Sequence, residues 1–95
     1  MVIVRQVIQN EVGLHARPAA MFVRCANKFR SGIKVRNMNS GRPAVNAKSI
    51  LQVLGLGVAQ GNGIEIQIEG DDEEKAAAAL TQLILSDFAA ALEPG

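Results

Sequence analysis

The single histidine of this chain lies in the run Gly13-Leu14-His15-Ala16-Arg17-Pro18-Ala19-Ala20, which sets an imidazole and a guanidinium in the first turn of a predicted helix. Proline is tolerated in a first turn because an N–H there has no intrahelical acceptor, so Pro18 places the helix start within a residue or so of His15. The backbone N–H groups of that turn point outward unpaired, and the helix dipole adds the equivalent of roughly half a positive charge. An anion is favoured at such a tip, and Arg17 adds a forked donor matched to phosphate oxygens. The imidazole supplies the chemistry. Free imidazole titrates at about pH 6.5, so near neutral pH it is an available nucleophile. A phosphoryl group on nitrogen is passed on far more readily than a serine ester, which suits a carrier that receives the group and hands it over. A lone histidine in a small domain is more often a surface or satisfied core residue. Here Gly13 and Pro18 bracket it as a helix cap, and Arg17 has no apolar role beside it.

Three further groups of residues are candidates. Ser49 falls in the first turn of a second predicted helix, where a phosphate would gain from the helix dipole and from Lys48, although a serine at a helix start is usually an ordinary cap. Ile50, Leu51 and Leu54 cannot all face a core from a helix of two turns; Leu51 and Leu54 are either tolerated exposed aliphatics or an apolar docking patch. Arg17, Met21, Arg24 and Lys28 recur at steps of four, three and four and so share an exposed helix face. On most helices a basic stripe is just solvated. Starting at a phosphate site, Arg17, Arg24 and Lys28 read as a steering surface for an acidic partner. Gly55, Gly57 and Gly61 lack the dinucleotide-binding spacing and read as turns.

The run from Gly13 to Ala20 resembles, residue for residue, the active-site motif of the HPr family, the histidine-containing phosphocarriers of the bacterial phosphoenolpyruvate-dependent sugar phosphotransferase system. Asn46-Ala47-Lys48-Ser49-Ile50-Leu51 is similar to the regulatory serine segment of that family, and the likeness covers nearly the whole chain. The resemblance implies that His15 is phosphorylated on a ring nitrogen by enzyme I, that Arg17 stabilises the transferred group, and that the helix start at Ala16 to Pro18 donates backbone N–H groups. It implies a stoichiometric carrier and not an enzyme, passing the group to sugar-specific A-type components without a cofactor. It further implies docking of partners on Leu51 and Leu54 beside His15, where the family often holds methionine or phenylalanine. Phosphorylation of Ser49 by a serine kinase/phosphorylase, with recruitment of a transcriptional regulator, would make the chain a regulatory binding module instead. A nitrogen-related branch would differ in partners and not in the His15 chemistry. A purely structural α+β domain would require the octapeptide to be accidental.

Composition agrees with a small carrier. The 95 residues, 48% of them hydrophobic, predict one domain over 1–95. A net charge of +1 and three aromatic residues, all phenylalanine, give neither a broad basic field nor a stacking platform, so nucleic-acid binding is disfavoured. Membrane insertion is not expected: Met1-Val2-Ile3-Val4 is interrupted by Arg5, and the alanine-rich C-terminal run is broken by Thr81, Gln82, Ser86 and Asp87. Cys25, the only cysteine, allows no internal disulfide, which fits the cytoplasm, and reads as a small helix residue. One cysteine and one histidine cannot assemble the usual closed zinc site, so no metal is expected.

The elements that must position these residues follow from periodicity. Residues 2 to 8 predict a strand with imperfect alternation. Ala19, Phe22, Val23, Ala26 and Phe29 form the buried stripe of a helix from Ala16 to about Phe29. Ile33 and Val35 alternate with Lys34 and Arg36 in a strand, Asn37 to Gly41 makes a hairpin turn, and Pro43 to Asn46 returns. A second helix runs from about Lys48 to Leu54. After the turn Gly61-Asn62-Gly63, Ile64, Ile66 and Ile68 alternate with Glu65, Gln67 and Glu69 in the cleanest strand pattern. Asp71 and Glu74 resemble a capping box for a long helix with the stripe Ala76, Leu80, Leu83, Ile84 and Phe88, fading by Glu93-Pro94-Gly95. The order βαββαβα suits either a ferredoxin-like sheet or another strand order. The HPr resemblance implies the latter: an α+β open-faced sandwich in two layers, its four-stranded antiparallel sheet ordered 1-4-2-3 and covered on one face by three helices.

Overall fold

A computed structural model describes residues 1–88. Four strands, β1 (Val2–Val7), β2 (Gly32–Asn37), β3 (Val45–Asn46) and β4 (Gly63–Glu69), form one antiparallel sheet in the order β1-β4-β2-β3. Three helices, α1 (Ala16–Ala26), α2 (Ile50–Leu54) and α3 (Glu73–Leu85), complete the order βαββαβα and the open-faced sandwich.

Register explains which side chains are buried. Across the sheet, Val2, Ile68 and Ile33 form one inward row, Val4, Ile66 and Val35 the next, and Gln6, Ile64 and Asn37 the third. These rows meet Ala19, Phe22 and Ala26 of α1, Val53 of α2 and Ala76, Leu80, Leu83 and Ile84 of α3 in a single core. The weak alternation of β1 is resolved by the same register: Ile3 and Val7 stand on the open face, about half exposed.

Several element ends differ from the periodicity. Helix α1 stops at Ala26, because Lys28 and Phe29 donate to the carbonyls of Cys25 and Ala26, three residues back, and tighten the chain out of the helix. Val23 and Phe29 are half-buried at the core's margin, and Met21, expected on the exposed face, packs partly against it. Strand β3 keeps two residues of its expected four, since Pro43 has no N–H to give the ladder. The expected capping box at Asp71 and Glu74 does not form, and the helix starts one residue later. Asp72 is the N-cap of α3 but spends its carboxylate on the N–H groups of Arg30 and Ser31 and the Ser31 hydroxyl, while Glu73 accepts from the N–H of Gly70. Helix α3 ends at Leu85, before Phe88, the last residue of its expected stripe. There Asp87 enters the left-handed region at φ 56°, and the Asp87 and Phe88 N–H groups fold back to the carbonyls of Ile84 and Leu83. The expected fading at Glu93-Pro94-Gly95 lies outside the described residues.

Candidate functional site

Strand β1 delivers the chain to His15 through a loop that is held on both sides. Ile8 donates to the Asn62 carbonyl at 2.9 Å and accepts from Gly61 at 2.7 Å; Leu14, fully buried, donates to the Val58 carbonyl at 3.0 Å. Gly13 sits at φ 66°, where a Cβ would lie 2.2 Å from that same Val58 oxygen, so glycine is required by conformation and by space. Next comes His15 at φ −134° and ψ 167°, the N-cap of α1, with its carbonyl accepting the Ala19 N–H at 3.4 Å. Its side chain makes no capping bond and is exposed.

The tip around this imidazole carries backbone donors and no carboxylate. Pro18 has no N–H, so Ala16 and Arg17 supply the outward donors of the first turn, and no acidic residue stands in that turn. Arg17 is exposed, and among the described residues neither its guanidinium nor the His15 ring is hydrogen-bonded to protein. Ala16 holds φ 50°, a left-handed conformation that costs an L-residue about 1–2 kcal/mol. Such strain concentrates where the backbone serves a ligand and not only the fold.

Residues 4–86 match the family model described as PTS HPr component phosphorylation site. The chain belongs to the HPr family. It is 44% identical over 73 residues to the phosphocarrier protein HPr of Lysinibacillus sphaericus, covering 77% of this chain and 80% of that one. It is 47% identical over 73 residues to the multiphosphoryl transfer protein of Vibrio cholerae, covering 77% of this chain but only 18% of that protein, so it spans under a fifth of that relative's length. The crystal structure of HPr-C-His from Thermoanaerobacter tengcongensis superposes with a TM-score of 0.86 at 52% identity, over 93% of this chain and 96% of that one.

On this HPr framework the remaining candidates separate. Ser49 is the N-cap of α2, not a residue of its first turn, and its hydroxyl oxygen accepts the Gln52 N–H at 3.3 Å. Lys48, expected beside a Ser49 phosphate, instead donates its ammonium to the Phe29 carbonyl at 2.7 Å, and Asn27 at the end of α1 donates to the Lys48 carbonyl. The start of α2 is thereby tied to the far end of α1, roughly 16 Å along that helix from the His15 tip. Leu51 is 79% exposed and Ile50 38%, whereas Leu54 is half-buried against the core, so the apolar patch centres on Leu51 rather than on a Leu51/Leu54 pair. Arg24 and Lys28 are both exposed, Lys28 just beyond the end of α1. Cys25 is half-buried on α1; burial raises its thiol pKa, with the Lys28 charge opposing.

The open face of the sheet carries a feature that periodicity hid. Glu65, which alternation places outward with the exposed acids, is only 5% exposed. It lies directly between Arg5 on β1 and Arg36 on β2, accepting from them at 2.9 and 3.0 Å. The Arg36 hydrogen bond first, then those of Gln67 and Arg5, lower its pKa to about 2. Also missed were Asn37, 4% exposed on the inward side of β2, and Asn62, whose amides organise the loop under Gly13. In sequence the only trace of that role was turn propensity.

Proposed function

We propose that this chain is a stoichiometric phosphoryl carrier of the sugar phosphotransferase system. A His15 ring nitrogen attacks the phosphorus of a phosphohistidine on enzyme I; a new N–P bond forms as the old one breaks, and the group then leaves for a sugar-specific A-type component. The observation that carries this reading is the exposed His15 at the N-cap of α1, next to the first-turn N–H groups of Ala16 and Arg17, with Arg17 itself exposed in that turn. In-line transfer between two protein histidines needs a protruding nucleophile with the transferred group's charge held by fixed donors, not an enclosed substrate pocket. Each hydrogen bond to a charged oxygen contributes about 1.5–3 kcal/mol, enough to orient the group without trapping it. Arg24 and Lys28 steer an acidic partner face, and the exposed Leu51 and the edge of Leu54 provide its apolar contact. The protein turns over no substrate of its own and works in the cytoplasm, where these partners act. The His15→Ala variant tests the assignment: it folds normally and takes no label from enzyme I and phosphoenolpyruvate, and normal labelling would refute it.

A second reading rests on Ser49. Ser49 is half-exposed at the head of a short helix, followed by exposed Ile50 and Leu51, which presents it to a serine kinase. Phosphate there would change the surface that a regulator or an A-type component meets. Labelling with ATP and the kinase, compared with labelling through enzyme I, separates the two roles.

A further inference from the structure

We propose that Asn62 is a positioning residue for His15, acting through the Val58–Ala59 peptide and itself oriented by Asn37; the inference rests on the carrier reading of His15. One peptide group joins these residues. Its C=O accepts the Leu14 N–H at 3.0 Å, one residue before the nucleophile, and its N–H donates to Asn62 Oδ1 at 2.9 Å. The same peptide is what Gly13 makes room for: a Cβ there would meet Val58 O at 2.2 Å, Ala59 Cα at 2.9 Å and Val58 C at 3.0 Å. The Gly13–Leu14 backbone thus rests directly on a peptide plane that Asn62 grips from the other side.

Asn62 is in turn held from the sheet. Asn37 Nδ2 donates to Asn62 Oδ1 at 3.4 Å and to the Leu56 carbonyl at 3.3 Å, which fixes the amide at both ends of the loop from Leu56 to Asn62. The Asn37 Oδ1 accepts the Asn39 N–H at 2.9 Å, so the orientation of that buried amide is set as well. Backbone bonds from Asn62 N to Ala59 O and from Ile8 N to Asn62 O close the loop without help from either side chain. The Asn62 amide is therefore not needed to form the turn. It sets the tilt of one peptide, and a peptide whose N–H is bonded is also a stronger acceptor at its C=O. Asn37, Asn62 and the 58–59 peptide form a continuous hydrogen-bonded chain from the end of β2 to the residue before His15.

The consequence is geometric. Displacing a reacting group by about 1 Å costs about a hundredfold in rate, so a looser Leu14 anchor slows transfer at His15 while the protein stays folded. The Asn62→Leu variant removes the acceptor, and Asn62→Asp keeps one. In Asn62→Leu, phosphoryl transfer from phospho-enzyme I is expected to slow by about tenfold. Amide hydrogen exchange at Leu14 should accelerate beyond the change seen at the β4 amides, and the imidazole resonances of His15 should shift. Asn62→Asp restores Leu14 protection and the His15 resonances. Should Asn62→Leu fail to fold, Asn62→Ala serves, since the two backbone bonds of the turn remain. Unchanged transfer and unchanged Leu14 exchange in a folded Asn62→Leu or Asn62→Ala protein would overturn the assignment. So would losses spread equally over all amides and not restored by Asn62→Asp, which would mark a purely structural role. If the unaltered chain itself takes no label from enzyme I, the carrier reading fails and this positioning role falls with it.

Discussion

Replacing Gly13 by alanine is expected to damage both the fold and the site, and the two contributions can be worked out separately. The residue sits at φ 66°, which costs an L-residue about 1–2 kcal/mol. The new methyl would lie 2.2 Å from the Val58 oxygen, so the loop must retreat by about 1 Å to restore an ordinary contact of 3.4 Å or more. That retreat breaks the Leu14 to Val58 hydrogen bond, worth about 1 kcal/mol. Together these give a loss of about 2–3 kcal/mol, which for a domain of this size lowers the melting temperature by on the order of 10–20 °C. Displacing His15 by a similar distance slows transfer from enzyme I by about a hundredfold at temperatures where the variant is still folded. Gly57→Ala is the matched control. It pays the left-handed strain at φ 62° but meets nothing within 4 Å. Calorimetric melting of both variants, with transfer rates at 15 °C, isolates the collision from the strain. Equal melting temperatures for the two, or wild-type transfer by Gly13→Ala, would refute the close packing of Gly13 on the 58–59 peptide.

Acid stability should follow the carboxylates. The Ser31 hydroxyl and the Arg30 amide lower the Asp72 pKa to about 2, and the Arg36 hydrogen bond does the same for Glu65. Both lie below the ordinary value of about 4, so their stabilisation is fully present above that pH and is lost as pH falls from about 4 to about 2. Urea midpoints across that window should decline in the wild type and decline less steeply in Asp72→Asn; parallel curves would contradict the clasp between Asp72 and Ser31. Leu51→Glu removes a side chain that is 79% exposed, so stability should change by less than about 0.5 kcal/mol. Its KM as a substrate of enzyme I should rise several-fold with little change in the maximal rate, and an unaltered KM would remove Leu51 from the docking surface.

Legibility in the sequence followed the physical range of each signal. His15, Arg17 and Pro18 were readable because a helix start is a local event, set by residues within one turn. The inward isoleucines of β4 were readable for the same reason, since alternation along one strand needs no neighbour. Glu65 was not, because its burial depends on Arg5 and Arg36 arriving from two other strands, and strand order is not encoded in periodicity. The Lys48 contact was hidden on similar grounds: its partner is the Phe29 carbonyl, just beyond the end of α1. The missing side-chain cap of α3 could not be read because the Asp72 carboxylate accepts from Arg30 and Ser31, which arrive from another part of the chain. Asn62 looked like a turn residue and is one; its second role appears only when Gly13 is packed against the peptide it holds.

The most direct measurement is mass spectrometry of the chain after incubation with enzyme I and phosphoenolpyruvate, with samples split between acid and alkali. A phosphohistidine carrier gains one phosphate on the peptide containing His15, which survives alkali and is lost in acid. An acid-stable phosphate on Ser49 alone, or no phosphate at all, would contradict the account.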